Sequence, residues 1–559
     1  MKHLRRFLLL VLAFPAVSAV IASSARTVPI SPTPVNQVFQ WSVDGVCGLW
    51  SDGQPSKASS YLWIPENCRR VRGLLVLCAN VPEHRLVGHP AIRAACAAND
   101  LAIVWNTPSF MNFKRAEPGR KKMSEEWPTS VAFLEQQLDA LAKTSGYDEI
   151  ATVPWLPIGE SGHLLMVDAL VETKPERCIA GVWLKNNHFP PTNRTVPALV
   201  VFGTAQEWGQ EKTDIRAKWA EVEKTYAGVL DRRAKSPGWP LGYVLDGHSG
   251  HFDCSERLTS YLAHYIDSAA RARLPSDGSP ELKPVDLATG FFADLAAPGR
   301  GANPAAPVPA TTPAALPWYF DRAAAVEAQA FAAINWQAAT QLPVFPDAAG
   351  KFLPHDFNSI VNLKALAFEP DGLTFTVRGD LADTIPEGFL HVGEKLARAP
   401  GPLAVEWLCG PVEPLGGDRF RIALDRVWLG GGATYLALRH PGDATVRGVV
   451  QPAGVDLRGT LRNQHGASQK ITFAQLPDLA VGGGPIPLDA RSDSGLPVSF
   501  FVVSGPAVIE DGKLVPTAVP PRAKFPVTIR VVAWQWGRRA EPAVKMAPLV
   551  ERSFRLLAP

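Results

Sequence analysis

"LPIGESGHLLMVDAL", residues 156–170, sets a serine between two runs of different period. The run leading into it, "ATVPWLPIG", is short, apolar and suited to a buried strand, whereas "LLMVDALVET" after it has the composition of a helix. Gly159 and Gly162 flank Ser161, so the chain can turn tightly there and approach its neighbours closely. A serine on such a strand-to-helix turn stands above the end of a sheet. The next backbone N–H and the helix N-terminus then point at the same spot. His163 stands where a third glycine would tighten the turn further. Two residues along a helix is a rotation of about 200°, so its side chain is expected to pack away from Ser161.

The surrounding chain repeats this alternation. "RGLLVLCANV" (72–81), "LAIVWNTPSF" (101–110), "IAGVWLKN" (179–186), "VPALVVFGT" (196–204) and "LGYVLDG" (241–247) are apolar strand candidates. Between them lie helical stretches: "HPAIRAACAAND" (89–100), "TSVAFLEQQLDALAKTSGY" (129–147) and, closing the region, "SERLTSYLAHYIDSAARA" (255–272). In the second of these Val131, Leu134, Leu138 and Leu141 recur at three- and four-residue spacing, an amphipathic helix. Such alternation predicts an α/β fold with a mostly parallel sheet and helices on both faces.

Over about residues 36–270 the chain resembles the α/β-hydrolase superfamily of serine esterases. "PIGESGH" is similar to the superfamily's nucleophile elbow, and Gly-Glu-Ser is a familiar opening to it; His163 is the departure, and elbows lacking one flanking glycine occur in the superfamily. The resemblance implies Ser161 as nucleophile, with a base in the loop after the last strand. "YVLDGHSGHFDCSERL" offers two histidines there; His251, which opens "GHFD", is favoured and His248 is the alternative. The acid is expected after the preceding strand, where Glu207 lies; Asp214 is further out, and Asp246 is too near His248 in the chain. Gly162 and the backbone of Asn80 or Val81 are the expected oxyanion donors. Glu83, His84 and Arg85 follow as candidates to line the pocket, and Trp105, Phe110, Trp127 and Trp208 as rim or core aromatics. No metal cluster, phosphate loop or dinucleotide fingerprint accompanies these residues, and no cofactor is expected.

At 559 residues the chain is too long for one ordinary core, and 46% hydrophobic with 19% charged residues is a globular composition. The net charge of +3, without a basic tract, speaks against a nucleic-acid surface. Lys2, Arg5 and Arg6 precede an apolar run and then small residues, the order of a secretory leader over about residues 1–25. Pro15 and the serines interrupt that run before it reaches membrane-spanning length. A secreted or periplasmic protein with no membrane span after cleavage is therefore expected. Seven cysteines in an exported chain leave at least one unpaired and lead us to expect one or two bridges, with Cys78 a buried thiol.

Past the expected hydrolase domain (36–290), "LAAPGRGANPAAPVPATTPAALP" (295–317) reads as an extended linker or a loop laid over a surface. A helix is expected over 321–339 within a helix-plus-β module (318–465). Residues 470–559 resemble a bacterial immunoglobulin-like β-sandwich through "SGLPVSF", "SGPA" and "VTIRVVAWQ". Linker composition suggests that few contacts cross the boundary, so a chain ending near residue 290 is expected to keep activity on small esters. The resulting expectation is a secreted serine esterase acting on an ester-bearing extracellular polymer, of the polysaccharide acetyl or feruloyl type, or on a small ester. A polyester depolymerase, a peptidase of the same fold and a non-catalytic surface-binding protein are the alternatives.

Overall fold

Eight strands build the central sheet: β1 (Trp41–Leu49), β2 (Pro55–Trp63), β3 (Gly73–Cys78), β4 (Leu101–Thr107), β5 (Trp155–Glu160), β6 (Gly181–Leu184), β7 (Ala198–Gly203) and β8 (Leu241–Asp246). They lie in the order β1-β2-β4-β3-β5-β6-β7-β8. β1 and β2 pair antiparallel, as do β2 and β4, and every pairing from β4 to β8 is parallel. This is the sheet of an α/β-hydrolase core. The structure is a computed structural model that describes residues 38–49, 55–111, 123–185, 187–204, 218–300, 304–311, 314–356 and 360–558. The expected leader at 1–25 and the residues Glu207, Trp208 and Asp214 lie outside them.

The strand order fixes where the helices go. From β3 the chain steps one way across the sheet to β4, then back past β3 to β5. With right-handed crossovers, that reversal puts α1 (Val81–Gly88) and α2 (Pro90–Ala98) on one face and α3 (Met123–Ser145) on the other. α4 (Leu164–Thr173) packs on α3, and α6 (Glu256–Arg273), which follows β8, packs on α2; α5 (Lys218–Lys235) links β7 to β8. All of β3, β4, β5, β7 and β8 is buried, as a sheet covered on both faces requires. Val131, Leu134, Leu138 and Leu141 of α3 are buried, as their spacing predicts. Two elements were not legible. The hairpin of β1 and β2 mixes polar and apolar residues, and α1 begins inside what reads as a loop, with Pro82 in its first turn.

Beyond α6 the chain stays on the core. Leu295, Ala296 and Ala297 are fully buried. Three short strands, Phe291–Phe292, Val308–Pro309 and Trp318–Tyr319, form a small sheet, and α7 (Arg322–Ala332) packs on β8. Tyr319 donates its hydroxyl to the Tyr243 carbonyl at 2.6 Å, and the rings of Phe331 and Tyr261 meet edge-to-face at 5.7 Å. A chain cut near residue 290 would leave these faces of β8 and α6 in water. Contrary to the expectation from composition, such a cut is expected to yield insoluble protein with no hydrolytic activity, which expression and size-exclusion chromatography would check. A soluble, monomeric and folded fragment would show that these contacts are dispensable.

The remaining residues form small, mostly antiparallel sheets. One four-stranded sheet holds Val361–Leu363, Val449–Val455, Tyr435–His440 and Ala404–Cys409 in that order, and a second holds Leu479–Ala480, Val550–Leu557, Val527–Trp534 and Ser499–Ser504. Both parts touch the hydrolase core: Gly410 N–H donates to His84 Nδ1 at 3.0 Å, and Gly505 N–H donates to the Phe39 carbonyl at 2.8 Å. The bridges expected of the cysteines do not form; all seven are free thiols. Six are buried, and burial pushes the Cys78 and Cys96 thiols up to about 12, so they are packing groups.

Candidate active site

The reversal of strand order falls between β3 and β5, and the crevice at the carboxyl ends of two such strands is where α/β sheets place ligands. Asn80 follows β3 and Ser161 follows β5. Both are thus delivered to one place by topology alone.

Ser161 has φ +52°, in the left-handed region that a non-glycine residue enters only where surrounding structure holds it. The chain makes a single 3₁₀ turn over Ser161–His163 and runs on into α4. Gly159 permits the tightness: a Cβ there would lie 2.3 Å from the His163 carbonyl oxygen. One glycine thus meets the close approach, and His163 is tolerated at the position of another. Its ring is buried, with Nδ1 3.8 Å from Glu83 Oε1, and burial pushes its pKa down to about 4. At neutral pH His163 is an uncharged packing group.

His251 Nε2 stands 2.8 Å from Ser161 Oγ. A neutral imidazole can accept the serine proton across that contact. His248, three residues earlier in the same loop, goes elsewhere: its backbone N–H donates to Thr204 Oγ1 at 3.0 Å, and its ring lies close to Gly448 of the β-rich module. Burial, with Arg447 adding, pushes the His248 pKa down to about 4. The structure brings Ser161 and His251 together and leaves His248 apart. Glu207 lies outside the described residues.

Two buried carboxyl groups that the sequence did not single out for this place lie under the elbow. Glu160 is fully buried; Asn80 donates its side-chain amide to both the Glu160 carboxylate and the Glu160 carbonyl, the latter at 3.2 Å. Glu160 Oε1 is 3.4 Å from His251 Nε2, the nitrogen that faces the serine, so Glu160 does not occupy the Nδ1 side where an orienting acid acts. Glu83 accepts the Glu160 backbone N–H at 2.7 Å, and burial pushes its carboxyl well above the ordinary range. Together Asn80, Glu83 and Glu160 fasten the start of α1 to the elbow. Asn80 caps α1 with extended backbone, and Val81 is its first residue.

Glu83, His84 and Arg85 make contacts within the protein. Glu83 is beneath the elbow, His84 stacks on Trp105 at 5.5 Å, and Arg85 pairs with Glu256 and donates to the Trp407 carbonyl at 3.2 Å. Trp105 and Phe110 are core residues, and Trp127 is partly buried against the core. Among the described residues no group of three or more His, Cys, Asp or Glu side chains could hold a metal ion, and no helix is long and apolar enough to cross a membrane.

No protein-family model matches the chain, and no curated protein matches it. Among solved structures it is similar to poly(aspartic acid) hydrolase-1 from a Sphingomonas species at 16% identity and TM-score 0.29, covering 41% of this chain and 99% of that one. It is also similar to a poly(3-hydroxybutyrate) depolymerase from Bordetella parapertussis, at 13% identity and TM-score 0.29, covering 43% and 92%. A carboxylesterase from Mesorhizobium loti shows 19% identity and TM-score 0.24, covering 37% and 94%. At such scores these likenesses add nothing to what the strand order gives.

Proposed function

We propose that the chain is a serine hydrolase of carboxylic esters, exported to the periplasm or beyond the cell. The observation that carries this reading is the 2.8 Å contact between His251 Nε2 and the hydroxyl of Ser161 on its left-handed elbow. In the reaction that follows, His251 Nε2 takes the Ser161 proton as Oγ bonds to the ester carbonyl carbon. The carbonyl oxygen becomes an oxyanion facing the Gly162 N–H and the amide of Asn80 or Val81 at the start of α1. Each such donor contributes on the order of 10²–10³ in kcat. The imidazolium then gives its proton to the departing alcohol, leaving Ser161 acylated, and a water attacks by the same path in reverse.

Glu207 is assigned as the acid on His251 Nδ1, from its place just after β7. Glu207→Gln is expected to lower kcat by about 10⁴-fold with little change in KM. An unchanged kcat would move the role to another carboxylate.

Esters on extracellular polysaccharides, acetyl or feruloyl, are the proposed substrate class. The leader-like order of residues 1–25 and the β-rich parts, the last read as immunoglobulin-like, support an enzyme that meets a polymer outside the cell. Acetate release from acetylated xylan and ferulate release from feruloylated arabinoxylan, set beside poly(3-hydroxybutyrate) and a peptide amide, tests this. Activity on the polyester alone would shift the assignment to a depolymerase, and cleavage of the amide alone to a peptidase. Binding to a polymer without hydrolysis would leave a surface-binding protein.

A further inference from the structure

The loop that carries His251 is braced by ionic contacts, and one of them comes from far away in the chain. Asp253, two residues past His251, is fully buried. Its Oδ2 accepts from Ser249 Oγ at 2.6 Å, and its Oδ1 is paired with Arg439 on the strand Tyr435–His440. Lys185, at the end of β6, donates to Ser249 Oγ at 2.7 Å and pairs with Asp246 at the end of β8. Arg439 in turn donates through Nε to Glu406 at 2.9 Å on the neighbouring strand. Burial alone would raise the Asp253 carboxyl, but Arg439, Lys185 and the hydrogen bonds from Arg439 and Ser249 hold it down at about 2. Asp253 is therefore ionised, and both its oxygens are engaged on this brace.

The strand presents one face to the loop. Alternate residues of a strand share a face, so Tyr435, Ala437 and Arg439 point the same way. Tyr435 stacks on Phe252 at 5.5 Å, Ala437 shares one buried apolar cluster with Phe252 and Val81, and Arg439 holds Asp253. Phe252 meets the His251 ring edge-on at 4.5 Å. The β-rich module thus touches Phe252 and Asp253, the two residues that follow His251, as well as α1.

We infer that Arg439, supplied by the β-rich module, is a positioning residue for His251, acting through Asp253 to hold the imidazole against Ser161. The inference rests on the Ser161–His251 reading above. Removing the guanidinium leaves a buried carboxylate short of a partner at the base of the histidine loop, and the loop must shift to rehydrate it. A displacement of the imidazole by about 1 Å costs on the order of 100-fold in rate.

The test is steady-state hydrolysis of a small soluble aryl ester by the full chain, with active sites counted by fluorophosphonate titration. Arg439→Met is expected to lower kcat per titrated serine by about 10- to 100-fold, with KM within about twofold. Arg439→Lys is expected to recover most of the loss. Asp253→Asn is expected to lower kcat comparably, and adding Arg439→Met to it to cost little more, because both changes break one clamp. If Arg439→Met does not fold, Asp253→Asn decides, and an unchanged kcat per site in it overturns the inference. Lowered thermal stability with unchanged kcat per site in Arg439→Met also overturns it, leaving Arg439 a structural contact. A wild-type chain with no titratable serine removes the underlying reading, and this inference with it.

Discussion

Replacing Ser161 by Ala is expected to lower kcat for a short-chain aryl ester by about 10⁶-fold while the protein remains folded. Alanine keeps the Cβ, so the backbone at φ +52° is no more strained than before, and the tight approach at Gly159 is untouched. What disappears is the hydroxyl that lies 2.8 Å from His251 Nε2. The turn would still hold its oxyanion donors, so a slow background rate above water alone should remain. Circular dichroism and thermal unfolding close to wild type, with the rate gone, are the paired results. Retention of most of the activity would remove the serine mechanism.

His251→Ala is expected to cost about as much as Ser161→Ala, and the double variant little more than either, because nucleophile and base act as a unit. His248→Ala is the informative contrast. Its ring packs near Gly448, its backbone serves Thr204, and burial keeps it uncharged at neutral pH. Loss of that ring should weaken packing against the β-rich module yet leave kcat within about tenfold of wild type, the scale of a small misplacement of the loop. Kinetics of the two single variants, side by side, check this. A reversed order of effects would exchange the two histidines.

Features that depend on local pattern were the ones legible in the sequence. Ser161 sits at a change of period between flanking glycines, and His251 lies in a short loop between an apolar strand and a capped helix; both signals need only about a dozen residues of context. The α/β alternation read correctly for the same reason. Contacts between distant residues were not legible. Arg439 and Asp253 are 186 positions apart, and "TYLALRH" does not say which of its two faces meets the core. Glu160 enters the sequence reading only as part of the Gly-Glu-Ser opening, and its contact with Asn80, from the end of another strand, is one between distant residues. The Ala/Pro-rich stretch left a linker and a loop laid over a surface both open, because small side chains suit close packing as well as flexible linkage; Leu295, Ala296 and Ala297 are buried, and the carbonyls of Ala314 and Leu316 accept from the buried Arg233. The cysteines misled through the redox argument, which counts thiols without asking whether they meet. Six are buried one by one, in strands, in a helix and in the segments between them, and none of the seven is bridged to another.

The central claim is that Ser161 is a nucleophile activated by His251, and covalent capture tests it most directly. Wild-type protein treated with a fluorophosphonate should gain the mass of one phosphonyl group, mapped by peptide mass spectrometry to the segment containing Ser161. Ser161→Ala should gain none, and His251→Ala should react far more slowly. A wild-type chain that gains no adduct, or that carries it on a residue other than Ser161, would contradict the account.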